Sequence, residues 1–321
     1  MFITFLRTAI RFSTVFLFGS TGETITEKSG HLNLGVPGVM CIGAFTGCAG
    51  LVIYLNAVGG YQNANAFLVI LISILSCLIG GALCGLLFSF FTVTLKCNQN
   101  VTGLTLTTFS IGLNAFGFKL FKTTDMANLG QVSKYVSRLF PVTVGNNWFI
   151  DLFCSYGILV YLAIGISIAS AIFLRFTRIG LNLRAVGESP ATADAGGISV
   201  TNYRYIATTI GCAIASLGGL FFIMDFLGGN VEYCIDEYGW LAVAIVIFSM
   251  WKPDFGIIAS LVFGALYIAP NYMQLGEVQK NLFNLMPYIL TIIVLVLTSI
   301  FNKKNIQPPE GLGCSYDREK R

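Results

Sequence analysis

Residues 175–200, RFTRIGLNLRAVGESPATADAGGISV, form the only long run in the middle of the chain that cannot lie in lipid. The run carries three arginines, one glutamate and one aspartate, with a Gly-Glu-Ser-Pro turn and a Gly-Gly pair. Apolar segments of membrane-spanning length lie on both sides of it. A compact charged loop inside a hydrophobic chain is a candidate docking element for a cytoplasmic partner.

The composition around this loop is that of a membrane protein. The 321 residues are 55% hydrophobic and 11% charged, with a mean hydropathy of +0.77. A soluble domain carries about 25% charged residues because its surface must be solvated. The net charge of +4 is small and spread over loops, so it reflects membrane topology rather than nucleic-acid binding. The composition therefore predicts an integral membrane protein with many spans.

The apolar segments predict an all-α polytopic membrane protein of about eight to ten transmembrane helices, some of them broken, in two related halves. Residues 1–321 are expected to form a single transmembrane domain. Segments 237–251 and 254–270 are short, which predicts either two tilted short spans or one hairpin that enters the membrane partway. The drawn segments are 2–19, 35–56, 66–95, 101–121, 148–174, 203–225, 237–251, 254–270 and 285–301.

Arginine and lysine in short loops predict the orientation. The central loop, 175–202, and the tail, 302–321, are both rich in these residues and are separated by four predicted spans, so both are expected in the cytoplasm. Counting spans backwards from the central loop places the N-terminus and residues 122–147 outside. Residues 119–138 carry three lysines and an arginine, which by themselves would favour the cytoplasm.

Three stretches are expected to interrupt helices: 21–40, 97–103 and 228–240. In the first, the helix break is assigned to Gly35, Pro37 and Gly38. Non-helical backbone at membrane depth is tolerated where it lines a cavity or is buried in protein. The first and third interruptions each precede the second span of their half, which favours two related halves joined at the central loop.

Uncharged polar residues cluster around the first two interruptions. They have two interpretations: they line a path for a neutral, hydrogen-bonding solute, or they bond the broken backbone nearby. No lone acid falls in the middle of a predicted span, which disfavours a proton-coupled carrier. The candidate path residues are Asn33, Asn98, Gln99, Asn100, Thr102 and Asn114.

Several kinds of chemistry have no motif in the sequence. It contains no GxxxxGK[ST] motif for ATP, a single histidine, His31, and nine scattered cysteines without CxxC spacing. We therefore expect no catalytic residue, no metal site and no cofactor on this chain, and any ATP used would be bound by a partner subunit.

The central loop has a predictable local structure. Ser189 is a helix cap, Pro190 suits the first helical position, and Gly196-Gly197 supplies a stop. This pattern predicts a short helix with small side chains. Two interpretations of the segment stay open: it docks in a groove on a partner, or it is an ordinary solvated loop.

Four segments together resemble the permease subunits of bacterial ATP-binding cassette (ABC) importers of the branched-chain amino acid, ribose and nucleoside type. The resemblance is closest to the simple-sugar and nucleoside branch, which works with lipoproteins of the basic membrane protein class. The chain departs from that branch with Pro37 for the usual Glu, Lys28 for Arg and Thr192 for Ala. The segments are ITEKSGHLNLGVPGVMCIGAFTG (25–47), NQNVTGLTL (98–106), TRIGLNLRAVGESPATADAGGISV (177–200) and GLGCSYDREKR (311–321).

The resemblance implies a nucleoside importer in the bacterial cytoplasmic membrane. Its expected partners are an ABC ATPase subunit, a second permease that is a paralogue, and an extracytoplasmic substrate-binding lipoprotein. The alternatives are a simple-sugar (ribose-type) or branched-chain amino acid permease, a self-sufficient channel or gradient-driven carrier, and a non-transporting scaffold. The residues assigned to ATPase coupling are Arg184, Gly187, Glu188, Pro190, Asp194 and Gly197.

Overall fold

The computed structural model of the chain describes residues 2–138, 152–231, 235–273, 276–283, 285–301 and 307–317, and these residues are helical without any strand. The helices are α1 (Phe2–Glu27), α2 (Val36–Val58), α3 (Ala66–Ser89), α4 (Gln99–Lys119), α5 (Thr123–Ser137), α6 (Ile158–Phe176), α7 (Arg178–Glu188), α8 (Pro190–Ala195), α9 (Val200–Phe221), α10 (Asp236–Phe248), α11 (Pro253–Tyr272), α12 (Glu277–Phe283) and α13 (Met286–Phe301). Short π-helical turns, Phe90–Thr94 and Phe222–Phe226, extend α3 and α9.

Eight helical segments of the described chain are long and apolar enough to cross a membrane, which confirms the all-α polytopic class. Segments 237–251 and 254–270 match neither expected arrangement. Helix α10 has only 13 residues, whereas α11 has 20 and is long enough to span. The division into two related halves stays a prediction.

Small residues bring the central helices α1, α2 and α9 into close contact. A Cβ added at Gly22 of α1 would lie 2.2 Å from the carbonyl oxygen of Gly211 in α9. A Cβ added at Gly219 of α9 would lie 1.8 Å from the carbonyl oxygen of Met40 in α2. Backbone-to-backbone packing of this kind requires glycine and is characteristic of membrane helices.

The loops gather at two ends of the helix bundle. At one end Gly311 N donates to Gly187 O, 2.9 Å, so the tail and the central loop lie together, as the even number of predicted spans requires. At the other end Arg11 pairs with Asp225. Helix α5 lies at this second end, away from the central loop, beside the π-helical turn after α9. The first end, called the loop end below, comprises residues 28–35, 95–98, 177–199, 249–252 and 307–317; the other is the far end.

The first interruption is shorter than predicted. Helix α1 continues to Glu27, beyond the expected end at residue 19, and Gly22 packs it closely on α9. Threonine hydroxyls in this stretch bond carbonyls one turn back, which satisfies them in the buried interior. Pro37 and Gly38 lie in the first turn of α2, where proline is compatible with a helix, and Gly35 is its N-cap. The break is confined to residues 28–35. In the second interruption only 95–98 is non-helical, since α4 begins at Gln99.

Buried acids lie near the ends of two membrane-length helices, not at mid-span. Glu23 and Glu27 belong to the membrane-length helix α1 and are 1% and 2% exposed. Asp225 is also fully buried, in the π-helical turn after α9, where Arg11 Nε donates to it at 2.6 Å. Tertiary contacts thus keep the polar end of α1 helical and buried, although its composition indicates a loop.

Candidate functional site

The broken backbone between α1 and α2 is buried, and side chains from α1, from α4 and from the break itself satisfy it. Leu32 N donates to Gln99 Oε1, 2.8 Å, and Asn33 N donates to Glu23 Oε1, 3.1 Å. Gly35 N donates to Asn33 Oδ1 at 2.9 Å, and Thr107 Oγ1 donates to the carbonyl oxygen of Leu34 at 3.2 Å. Buried backbone outside a helix needs such partners, because burial shields its N–H and C=O groups from solvent.

The six predicted path residues therefore divide into separate groups. Asn33 and Gln99 meet at the break, where both bond the backbone. Asn98 caps α4 by accepting from Val101 N at 3.1 Å, and Thr102 donates to the carbonyl oxygen of Asn98 at 2.8 Å. Asn100 is exposed beside them.

Asn114 lies further along α4 and is buried. Asn98 and Thr102 line a cavity of about 570 Å³ between α3 and α4, whose other walls are mostly leucine and phenylalanine. Of the six predicted residues, this cavity takes only Asn98 and Thr102.

A buried carboxylate contact at the end of α1 was missed by sequence reasoning. Trp251 Nε1 donates to Glu27 Oε2, which fastens the turn between α10 and α11 to α1. Met250 and Trp251 both have φ of +55°, a left-handed conformation unusual for residues other than glycine. The Trp-Lys-Pro sequence between two apolar segments was the available signal for a special turn.

The central loop contains the predicted short helix, α8. Ser189 Oγ accepts from Thr192 N at 3.5 Å, Pro190 is the first helical residue, and Gly197 has φ of +83°. Ala193 is buried, while Ala191 and Ala195 are exposed. The loop therefore presents a surface of small side chains at the loop end. Helix α7, which precedes it, was not predicted.

The residues assigned to coupling do not all face outward. A Cβ added at Gly187 would lie 2.3 Å from the carbonyl oxygen of Lys28, so this glycine packs directly on the turn after α1. Asp194 Oδ2 accepts from Tyr316 OH at 2.8 Å, within the chain. Glu188 is exposed, and its Oε2 accepts from Glu310 N at 3.4 Å.

Arg184 lines a cavity of about 610 Å³ between α7 and the turn before α11, together with Lys28, Glu188 and Lys252. Burial lowers the pKa of the Lys28 amine; Glu188 opposes this shift, and the charges of Arg184 and Lys252 reinforce it. The cavity therefore has an excess of positive charge close to α8. No group of three metal-ligating side chains occurs in the described part of the chain.

The chain is similar to a known protein family and to several individual proteins. The family model "Branched-chain amino acid transport system / permease component" matches residues 5–295. The nucleoside ABC transporter permease protein NupC of Lactococcus lactis is 30% identical over 319 residues, 96% of this chain and 95% of that protein. The guanosine ABC transporter permease protein NupQ of Bacillus subtilis is 30% identical over 317 residues, 94% and 92% of the two chains. The "Putative glucose ABC transporter permease protein" of Haloferax volcanii is 30% identical over 344 residues, covering 98% and 97%.

Proposed function

The chain belongs to the permease component family of branched-chain amino acid transport systems and is the membrane permease of an ABC transporter, and from that premise we propose that it imports nucleosides. The proposal of a nucleoside substrate rests on the near full-length similarity to the nucleoside permease NupC and the guanosine permease NupQ. A sugar is the second candidate, because the Haloferax volcanii relative has the same 30% identity.

The proposal includes a separate ABC ATPase, which binds the ATP and docks on the loop end. The missing ATP-binding motif supports a separate motor, and the exposed alanines of α8 supply a surface that a groove can receive. Residues 175–202 then act as the cytoplasmic coupling loop and 302–321 as the cytoplasmic tail of one permease domain. Since α1 begins at the far end, the N-terminus lies outside.

Within this arrangement the six coupling residues have different roles. Pro190 and Gly197 bound the exposed helix α8, and Glu188 lies exposed beside it. Gly187 and Asp194 hold α8 against the rest of the chain, and Arg184 belongs to the positively charged cavity. Closure of the ATPases would move α8, and packed helices would transmit that movement to the transport path.

The remaining proposed partners are a paralogous second permease, an extracytoplasmic substrate-binding lipoprotein and the lipid of a bacterial cytoplasmic membrane. Exposed leucine and phenylalanine side chains along α3 and α4 fit a surface covered by lipid or by the second permease. Asn98 and Thr102, between these two helices, and the exposed Asn100 beside them are the path candidates that remain accessible; Asn33 and Gln99 bond the backbone of the break.

The substrate is tested by uptake. The complex of both permeases, the ATPase and the lipoprotein is reconstituted in vesicles, and uptake of labelled guanosine, adenosine, ribose, glucose and leucine is measured with ATP. We expect nucleosides to be taken up and the others to be excluded. Uptake of ribose or glucose without nucleosides would favour the sugar candidate and overturn the nucleoside proposal.

A further inference from the structure

Residues near the end of the chain run along the loop end. Residues 307–317 lie against the C-terminus of α7, the turn after α1, helix α8, the start of α9 and the residues after α3. Backbone and side-chain atoms along the length of this segment contact the rest of the chain, so the segment is an integral part of the loop end.

Backbone hydrogen bonds join three separate parts of the sequence at its first half. Gly311 N donates to Gly187 O at 2.9 Å, and Gly313 N donates to Gly30 O at 3.2 Å. A Cβ added at Gly311 would lie 2.7 Å from Gly187 O, so the approach requires glycine. The tail, the end of α7 and the turn after α1 are thus in direct backbone contact.

Side chains continue the attachment in the second half. Tyr316 OH donates to Asp194 Oδ2 of α8 at 2.8 Å, and the Tyr316 side chain packs on a small buried cluster that includes Val186 and Ala193. The carbonyl oxygen of Cys314 accepts from Arg204 Nη1 of α9 at 2.9 Å. Arg204 is itself 3% exposed, so this contact is inside the protein.

The last described residue of the tail forms an ion pair. Asp317 pairs with Lys96, just after α3, at 2.8 Å. The tail therefore touches elements that precede the central loop, the loop itself and the helix that follows it.

Helix α8 needs such support. It has six residues and buries only Ala193, and an isolated helix of this length is not stable in water. Its position must therefore come from contacts with the rest of the chain. Its covalent connections are to α7 and α9, and the tail adds an attachment at the middle of the loop.

We propose that residues 309–317 form a strap that positions the coupling helix α8 and ties its movement to the break after α1, with Tyr316 as a positioning residue. The inference rests on the proposed function, because it assumes that an ATPase moves α8. Movement of α8 then reaches Gly30 through the tail as well as through α7. The break between α1 and α2 is thereby linked to the ATPase.

The test uses Tyr316→Phe, which removes one hydroxyl and keeps the ring that packs on Val186 and Ala193. Tyr135→Phe, at an exposed far-end tyrosine, is the matched control. Hydrogen exchange of residues 185–197 is measured in the full-length permease, and uptake per ATP hydrolysed is measured in the reconstituted complex. We expect exchange in α8 to rise about tenfold, the factor for one hydrogen bond to a carboxylate, and uptake per ATP to fall.

Two further variants keep the outcomes distinct. Deletion of residues 310–321 should raise exchange further and uncouple ATP hydrolysis from uptake. Glu188→Lys tests the docking of the ATPase itself. If Glu188→Lys abolishes uptake while Tyr316→Phe and the deletion change neither exchange nor coupling, the strap is wrong and the proposed function stands. If the parental complex shows no ATP-dependent uptake, the proposed function itself fails.

Discussion

Replacing Gly187 by alanine is the sharpest perturbation of the loop end. The added Cβ would lie 2.3 Å from Lys28 O and 3.1 Å from Gly30 N, against an ordinary contact of 3.4 Å or more, so the two elements must separate by about 1 Å (3.4 − 2.3). The atoms in the way are backbone, so no side chain can rotate aside.

Overpacking of this kind costs about 1–3 kcal/mol, and the better helix propensity of alanine offsets at most about 1 kcal/mol. Because the 2.3 Å approach is to backbone, the cost falls in the upper part of that range, and we expect a net loss of about 1–2 kcal/mol of stability, together with displacement of α7 from the turn after α1. Uptake per ATP hydrolysed should fall more than ATP hydrolysis itself, since the motor remains docked while its movement is transmitted poorly.

The assay combines thermal unfolding of the purified permease with ATP-driven uptake in reconstituted vesicles. Gly165→Ala is the control, because nothing lies within 4 Å of a Cβ added there. It should leave uptake unchanged and should raise stability by at most about 1 kcal/mol, the gain in helix propensity. If Gly187→Ala unfolds and transports like the parental chain, the contact between α7 and the turn after α1 does not carry the coupling described here.

Three other changes have expected outcomes. Glu188→Lys should lower ATP-dependent uptake without unfolding the protein, because the residue is exposed; loss of the folded state would indicate a structural role. Trp251→Phe removes the indole donor to Glu27 and should cost about 1–3 kcal/mol in unfolding measurements, the cost of a buried group that loses its partner; unchanged unfolding would show that the bond contributes little. Arg11→Met leaves Asp225 buried without its ion pair and should destabilise by about 3 kcal/mol, the low end for broken buried pairs because Arg11 is 35% exposed; equal stability at neutral pH would contradict this reasoning.

The local structure of the central loop could be predicted because its signals are local. Ser189, Pro190 and the Gly196-Gly197 pair each favour one helical position, and together they bound α8 correctly. The membrane-length helices could also be predicted, since a run of apolar residues is itself the physical requirement for a span.

The contacts around the break could not be predicted because they join distant parts of the sequence. The composition identifies Asn33 and Gln99 as polar residues near an interruption and leaves two interpretations of them open. Only the fold shows that Gln99 accepts from Leu32 N and that Asn33 bonds Gly35. Whether any of the set contacts the solute stays a prediction.

The buried acids and the tail were missed for a related reason. Glu23 and Glu27 lie in a stretch of serine, threonine and glycine that resembles a loop, and packing on α9 decides that it is helical. Tyr316 has no local pattern that points to Asp194, since their 122-residue separation is bridged only in the folded chain.

The central claim is that a separate ATPase, acting through the loop end, drives transport by this permease. The most direct measurement is guanosine uptake into vesicles that contain the complete complex, with the lipoprotein outside and ATP either inside, absent, or replaced by an imposed proton gradient. Uptake should require both ATP inside and the ATPase subunit, and Gly187→Ala should reduce it. Uptake that persists without the ATPase, or that follows the proton gradient alone, would contradict the account and favour a gradient-driven carrier.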